Sequence, residues 1–341
     1  MYLTTLLSTL LPLSLLPQTL SAAHPPQQST DPKLIHQYPN PTWLENIATT
    51  RHGQILTSVI GRPASSGGHL HLLDPSHNTT TLIAALPGVN SIFGISEYKR
   101  DVFAVIAGDY DTETGTPLGS WSIWGVDLRN NPSSEAPTFK IADLPATTVL
   151  ANGLAALSES TLLVADSGSA HVISVSVKTG ETQIAVADKE TMSFDPEDAA
   201  VPIGINGMKY KKPYLYYTNS YTNTLYRLRV SSKTGQAAPG ARPEVVASGI
   251  ELPDDFSVGH DGTVWVAQPT VNQVVRIGRD GSVTTVLGAP QDRFIMGATS
   301  VALGRGRDDR GWGYVSTNGG LSGSVGGEPE GGKVVAFWLG A

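Results

Sequence analysis

Beyond about residue 32, apolar and polar residues alternate with a period of two in short runs, and almost nothing follows the period of a helix. The runs GHLHLLDP, STLLVADS, HVISVSVKTGETQIAVAD, YLYYTNS, TLYRLRV, TVWVAQP, NQVVRIGRDGSVTTVL and KVVAFWLG are separated by Gly, Pro, Asn, Asp and Ser. Half-buried strands joined by turns have this pattern, so the predicted class is all-β. The runs also recur as units of four strands. Inner-strand anchors fall at Glu45, Gly94, Asn152, Asn206, Asp254 and Thr299, with steps of 49, 58, 54, 48 and 45 residues. Six such units predict a six-bladed β-propeller over residues 33–341. The longest step contains AGDYDTETGTPLGSWSIWGVDLRNNPSSEAPTF, which reads as an extended loop inserted in the second unit. The segment KLIHQYPN, residues 33–40, has strand character but precedes the first unit. It is predicted to be the outermost strand of the sixth blade, so that the N-terminal strand closes the ring and removes an open sheet edge.

Composition changes this picture in three ways. The 341 residues include no cysteine, so stability must come from packing and ring closure rather than from disulfides. The formal charge is −7, and the Lys/Arg runs never exceed a pair, which makes nucleic acid an unfavourable partner. The first 23 residues combine an apolar region at about Leu6–Leu16 with Ser21, Ala22 and Ala23, the pattern of a cleaved secretory signal, although no Lys or Arg precedes the apolar region. That stretch is too short and too interrupted by proline for a membrane span. Residues 24–32 read as a linker. Passage through the secretory pathway, to the medium or to a vesicular or vacuolar lumen, is expected, with Asn78 in Asn78-Thr79-Thr80 as a glycan acceptor.

In a propeller the inner strands line a central channel, so residues at one place in successive units converge there. LENIA supplies Glu45, LANGLAAL supplies Asn152, GINGMKY supplies Asn206, and LPDDFSV supplies Asp254 and Asp255. Carboxylates and amides are the oxygen donors a hard cation such as Ca²⁺ takes, so Glu45, Asn152, Asn206 and Asp254 are candidate metal ligands. The plainer reading is that Asn-Gly and Asp-Asp are turn residues. Asn152, Asn206, Asp254, Thr299 and Ser300 are the candidate catalytic groups. Tyr217, Tyr221, Asp255 and Phe256 are candidates for the substrate pocket, with Phe294 and Trp265 as further apolar walls. None of the eight histidines falls at an inner-strand anchor, and no Gly-x-Ser-x-Gly, Cys-based or phosphate-loop motif is present. GRGRDDRGWG near residue 305 reads as a solvated turn, and GGLSGSVGGEPEGG as a blade connection bordering the channel mouth.

Glu in the first unit, NGLA in the third, NGM in the fourth and PDD followed by GTVWVA in the fifth resemble the SMP-30/gluconolactonase and paraoxonase group of six-bladed propellers. The resemblance implies that Glu45, Asn152, Asn206 and Asp254 match that group's divalent-metal ligands. Two departures, ENI for EGP and PDD for PDG, separate the chain from the lactone hydrolases. WLENIA, VLANGLA, LLVADS, GINGMK, LYYTNS, DDFSV and GATSVALGRG are similar to a secreted fungal branch of the same superfamily. That branch includes hetero-Diels–Alderases of tropolonic sesquiterpenoid pathways, which join an o-quinone methide to an alkene of a humulene-type macrocycle. The resemblance therefore implies a pericyclase of fungal secondary metabolism that acts on apolar small molecules and requires no cofactor. Two alternatives stand beside it: a metal-dependent lactonase or esterase, and a propeller that binds small molecules without turnover.

Overall fold

A computed structural model describes residues 30–340 apart from 62–63, 112–115, 131–133, 200 and 324–326. The secretory-signal stretch and most of the linker lie outside the described residues. Six four-stranded antiparallel sheets follow one another around a ring. Their inner strands are Trp43–Thr49, Ser91–Lys99, Ala151–Ser158, Ile205–Lys211, Phe256–Val258 and Ala298–Leu303. Blades one to five each take four consecutive strands. The sixth takes three consecutive strands, and its outer edge is filled by Lys33–Gln37 from the start of the chain. That strand pairs antiparallel with Lys333–Trp338, Lys33 opposite Ala336 and Gln37 opposite Lys333. The Lys33 ammonium lies 4.6 Å from the centre of the Trp312 ring, a cation–π contact that adds to the backbone pairing.

The alternation of the sequence becomes wedges of core between neighbouring blades. Six buried clusters occur among the described residues; five draw on two adjacent blades each, and the sixth joins blades two and three with Ile60 and Trp43 of blade one. Leu154, Leu162 and Val164 of blade three meet Ile106 and Ile123 of blade two, for example. The wedge that contains Leu44 and Ile47 of blade one with Trp312 and Val334 of blade six completes the circle. Stability is thus shared among six similar interfaces, in a chain without cysteines.

Each inner strand is irregular at the same place. Between Leu44 and Ile47, Ile92 and Ile95, Ala151 and Leu154, Ile205 and Met208, and Ala298 and Ser300 the register shifts, so that two residues face one on the neighbouring strand. In blade five the same step is carried by Asp254 N–H donating to the Ala267 carbonyl and Ala267 N–H donating to that of Asp255. A bulge bends the strand and re-aims its side chains. The first bulge residues are Glu45, Phe93, Asn152, Asn206, Asp254 and Thr299. The second are Asn46, Gly94, Gly153, Gly207, Asp255 and Ser300. The anchor predicted at Gly94 is therefore one residue late, because glycine there echoes the Gly of the Asn-Gly pairs while Phe93 holds the phase of the other anchors.

The glycines of the second set explain Asn-Gly in this sequence. A Cβ on Gly153 would stand 2.3 Å from the Asn206 carbonyl oxygen, and one on Gly207 would stand 2.6 Å from the Asp255 Cα. Successive inner strands approach so closely here that no side chain fits between them. These pairs are strand bulges rather than turns.

Candidate active site in the propeller channel

The first bulge residues lie near the starts of the inner strands, at the mouth bordered by the links between blades. Glu45 is 7% exposed, Asp254 9%, and Asn152 and Asn206 4% each. Trp43 Nε1 donates to Glu45 Oε2 at 2.8 Å, from two residues earlier on the same face of the strand. Burial pushes the Glu45 carboxyl up to about 7; the Trp43 bond opposes this and the Asp255 charge adds to it. Asp254 is also raised well above the usual carboxylate range, by burial first and then by Glu45 and Asp255, with Asn206 beside it acting in the other direction. Two carboxyls in one desolvated space resist ionising together.

The remaining ring atoms are open to a guest. Asn206 Nδ2 donates to Ser220 Oγ at 2.9 Å, while its Oδ1 is buried without a hydrogen-bond partner. The Asn152 side chain makes no hydrogen bond among the described residues. An orphaned amide oxygen beside carboxyls that burial and mutual repulsion make reluctant to ionise is a donor set that a divalent cation would relieve, so these residues fit such an ion.

Thr299 and Ser300 belong to the ring by register but not by chemistry. The Thr299 hydroxyl lies 2.9 Å from the Leu44 carbonyl, to which it donates, and 2.9 Å from Ser316 Oγ, which ties blade six to blade one. Ser300 Oγ donates to Asp255 Oδ2 at 3.2 Å. Both hydroxyls are held by these contacts. Asp255 is likewise engaged. It lies at the waist of the channel, accepting from Lys209 Nζ at 2.6 Å on both oxygens and from Asn46 Nδ2 at 2.7 Å. This knot joins blades one, four, five and six and closes the channel below the ring.

The aromatic walls are also not where sequence reasoning put them. Tyr217 is fully buried in the wedge between blades three and four, stacked on Tyr226, with its hydroxyl 2.6 Å from that of Thr191. Phe256 is fully buried between blades four and five, below Lys209. Phe294 packs into the wedge between blades five and six, and Trp265 faces the opposite mouth. Only Tyr221 stands on the rim, its hydroxyl donating to Asp198. Beside Glu45 stand the partly buried Trp43 and Tyr110, backed by Phe93 and Trp121, which are fully buried in the wedge between blades two and three. Phe93 meets Tyr110 and Trp121 edge to face, with ring centres 5.3 and 5.2 Å apart. Tyr110 feels the charges of both Glu45 and Asp254, which with burial push its phenol up to about 12. It is a neutral O–H donor, and its hydroxyl has no partner among the described residues. Leu118 and Val149 are the exposed apolar residues of this end, 67% and 42% exposed. Tyr110, Leu118 and Trp121 all come from the inserted loop of blade two. Phe93 was legible in phase; the others needed the loop's path.

A bulged six-bladed ring with carboxyls and amides converging in its channel defines the class: the chain is a six-bladed β-propeller similar in fold to SMP-30/gluconolactonase-like proteins. Residues 198–310 match the SMP-30/Gluconolactonase/LRE-like region. A candidate hetero-Diels-Alderase of Phoma sp is 23% identical over 314 residues, 84% of this chain and 86% of that protein. A second, from Sarocladium schorii, is 24% identical over 320 residues, 85% and 78% of the two chains. Among solved structures, a luciferin-regenerating enzyme superposes over 90% of this chain and 94% of its own with a TM-score of 0.63 at 12% identity, a likeness of fold.

Proposed function

We propose that this protein is a hetero-Diels–Alderase that joins an o-quinone methide, derived from a tropolone or a phenol, to an alkene of a humulene-type terpene. The observation that carries the reading is the pair of partly buried aromatic side chains Trp43 and Tyr110 beside the Glu45 and Asp254 carboxyls, which burial makes reluctant to ionise. The names of the two relatives support it.

The reaction forms one C–C bond, from the exocyclic methylene to one alkene carbon, and one C–O bond, from the carbonyl oxygen to the other. No atom leaves, so neither a nucleophile nor a leaving-group acid is required. Holding two apolar partners face to face supplies several kcal/mol, up to about 7–11 in ideal cases. Aromatic faces offer that stacking. A hydrogen bond to the carbonyl oxygen makes the heterodiene more electrophilic, and Tyr110, protonated Glu45 or Asp254, and the Asn152 amide are the available donors. A divalent cation bound by Glu45, Asn152, Asn206 and Asp254 would supply Lewis-acid polarisation of the same oxygen. Entry to the secretory pathway is part of the proposal, with a glycan on Asn78, which is exposed in the turn between two outer strands of blade one.

The test is incubation of purified protein with a generated o-quinone methide and a humulene alcohol, read as product ratios by chiral chromatography. Wild type should give one stereoisomer in excess. Asn206→Ala and Asp254→Asn should stay folded and form product with eroded selectivity, because the uncatalysed addition continues. Rapid opening of gluconolactone by wild type with Ca²⁺, abolished in Asp254→Asn, would overturn the reading in favour of a lactonase.

A further inference from the structure

The channel has a second mouth. Below the waist formed by Asp255, Lys209, Asn46 and Ser300, it widens into a cavity of about 970 Å³ at the opposite face of the ring. Its walls are the far ends of the inner strands and the turns that follow them, including the GRGRDDRGWG turn expected to be merely solvated. Apolar surface comes from Ile47, Ile95, Phe103, Val258 and Trp265.

The charges of this cavity run against those of the chain. Four lining cations, Lys209, Arg276, Arg305 and Arg310, face two lining carboxylates, Glu97 and Asp261. Two of the cations are already satisfied: Lys209 pairs with Asp255 below the ring, and Arg305 Nη1 bridges to Glu97 at 2.5 Å and to the Thr49 carbonyl at 3.0 Å. Asp261 accepts from the Thr263 hydroxyl at 2.7 Å. Arg276 and Arg310 make no ion pair among the described residues; Arg276 acts electrostatically on exposed Asp280 without pairing with it. In a chain of net charge −7 this leaves two uncommitted guanidinium groups over an apolar floor. Trp265 also lines the cavity, 7% exposed, and offers part of an aromatic edge to it.

We infer that this far cavity is a binding site for a small organic carboxylate, its apolar body on Trp265 and Val258 and its charge on Arg276 and Arg310. Guanidinium groups bind carboxylates bidentately and over apolar surface more tightly than exposed pairs do. The site is separate from the aromatic mouth and does not depend on the reaction proposed there.

The probe is 2-naphthoate, titrated into the intact protein by calorimetry and by tryptophan fluorescence, with its methyl ester as the uncharged control. Saturable binding should weaken about tenfold for the ester, as expected for loss of one charge-assisted contact. The double variant Arg276→Gln/Arg310→Gln should lose affinity by a similar factor or more, with its melting curve unchanged. Trp265→Phe should remove the fluorescence response. Raising the salt concentration should weaken binding of the carboxylate but not of the ester. Equal affinity for acid and ester, unchanged affinity in the double variant, or no saturable binding by wild type would each overturn the assignment.

Discussion

The buried carboxyl of Glu45 makes a prediction whose sign and size both follow from its surroundings. Folding raises this group from an ordinary 4.5 to about 7, chiefly through burial. A carboxyl that holds its proton more tightly when folded favours the folded state below pH 4.5. That advantage is lost as pH rises from 4.5 towards 7, and stability then levels off. At about 1.4 kcal/mol per pH unit across that window, the ceiling is about 3 kcal/mol. Glu45→Gln keeps the shape and the Trp43 N–H bond but cannot ionise. In chelator, the variant should therefore match wild type at pH 4 and exceed it by up to about 3 kcal/mol at pH 8, read as urea midpoints at constant m-value. Ca²⁺ should close most of that gap at pH 8, because it stabilises the form with a carboxylate to bind it, by about 2.7 kcal/mol at a hundredfold excess over Kd. Parallel pH profiles of wild type and variant in chelator would refute the buried-acid reasoning. If Ca²⁺ has no effect on wild type, the ring is a hydrogen-bonding surface rather than a metal site.

Three further outcomes test the framework around that ring. Removing residues 33–37 exposes the outer edge of Lys333–Trp338 and forfeits several backbone hydrogen bonds at about 1 kcal/mol each; a drop in Tm with edge-driven association on a sizing column is expected, and an unchanged monomeric protein would count against closure by this strand. Gly207→Ala places a Cβ 2.5 Å from Asp255 Oδ1 and 2.6 Å from its Cα, so the protein should fold poorly, and a melting curve like that of wild type would show that blades four and five can separate at little cost. Lys209→Met strands the Asp255 carboxylate, and a loss of roughly 3–5 kcal/mol is expected; adding Asp255→Asn should restore most of it, and additive losses in the double variant would mean that the pair is not coupled.

How much of this was legible in the sequence depends on the range of the cause. Period-two alternation and the recurrence of inner strands are local, so the six blades and the N-terminal closing strand could be read directly. Glu45, Asn152, Asn206 and Asp254 were legible because a ring repeats one position, and phase alone puts them on one channel. Phase could not say where a hydroxyl spends its hydrogen bonds. Thr299 and Ser300 look like donors until Leu44, Ser316 and Asp255 are seen to occupy them. Nor could it tell a core aromatic from a pocket aromatic: Tyr217 and Phe256 sit on strands of the right units but face the wedges between blades. Tyr110 and Trp121 lay in a segment read only as an inserted loop, and their approach to Glu45 is fixed by contacts distant in sequence.

The two bulge residues of each blade divide the work of the channel. The first positions carry carboxyls reluctant to ionise and amides beside Trp43 and Tyr110, an arrangement that can hold and polarise a guest. The second positions carry either glycine, where blades two, three and four need close approach, or a polar residue that joins the knot around Asp255. That knot is what lets the first layer work. Lys209 neutralises Asp255 and so weakens the repulsion that Asp255 would otherwise exert on Glu45 and Asp254. With the waist tied to four blades, the ring above it has little freedom to collapse around an absent guest, and pre-organised donors cost less reorganisation when a carbonyl arrives. A pericyclic reaction, which asks for placement and one polarised oxygen, is served by that rigidity, whereas hydrolysis would in addition need one of the ring carboxyls to ionise and act as base for water.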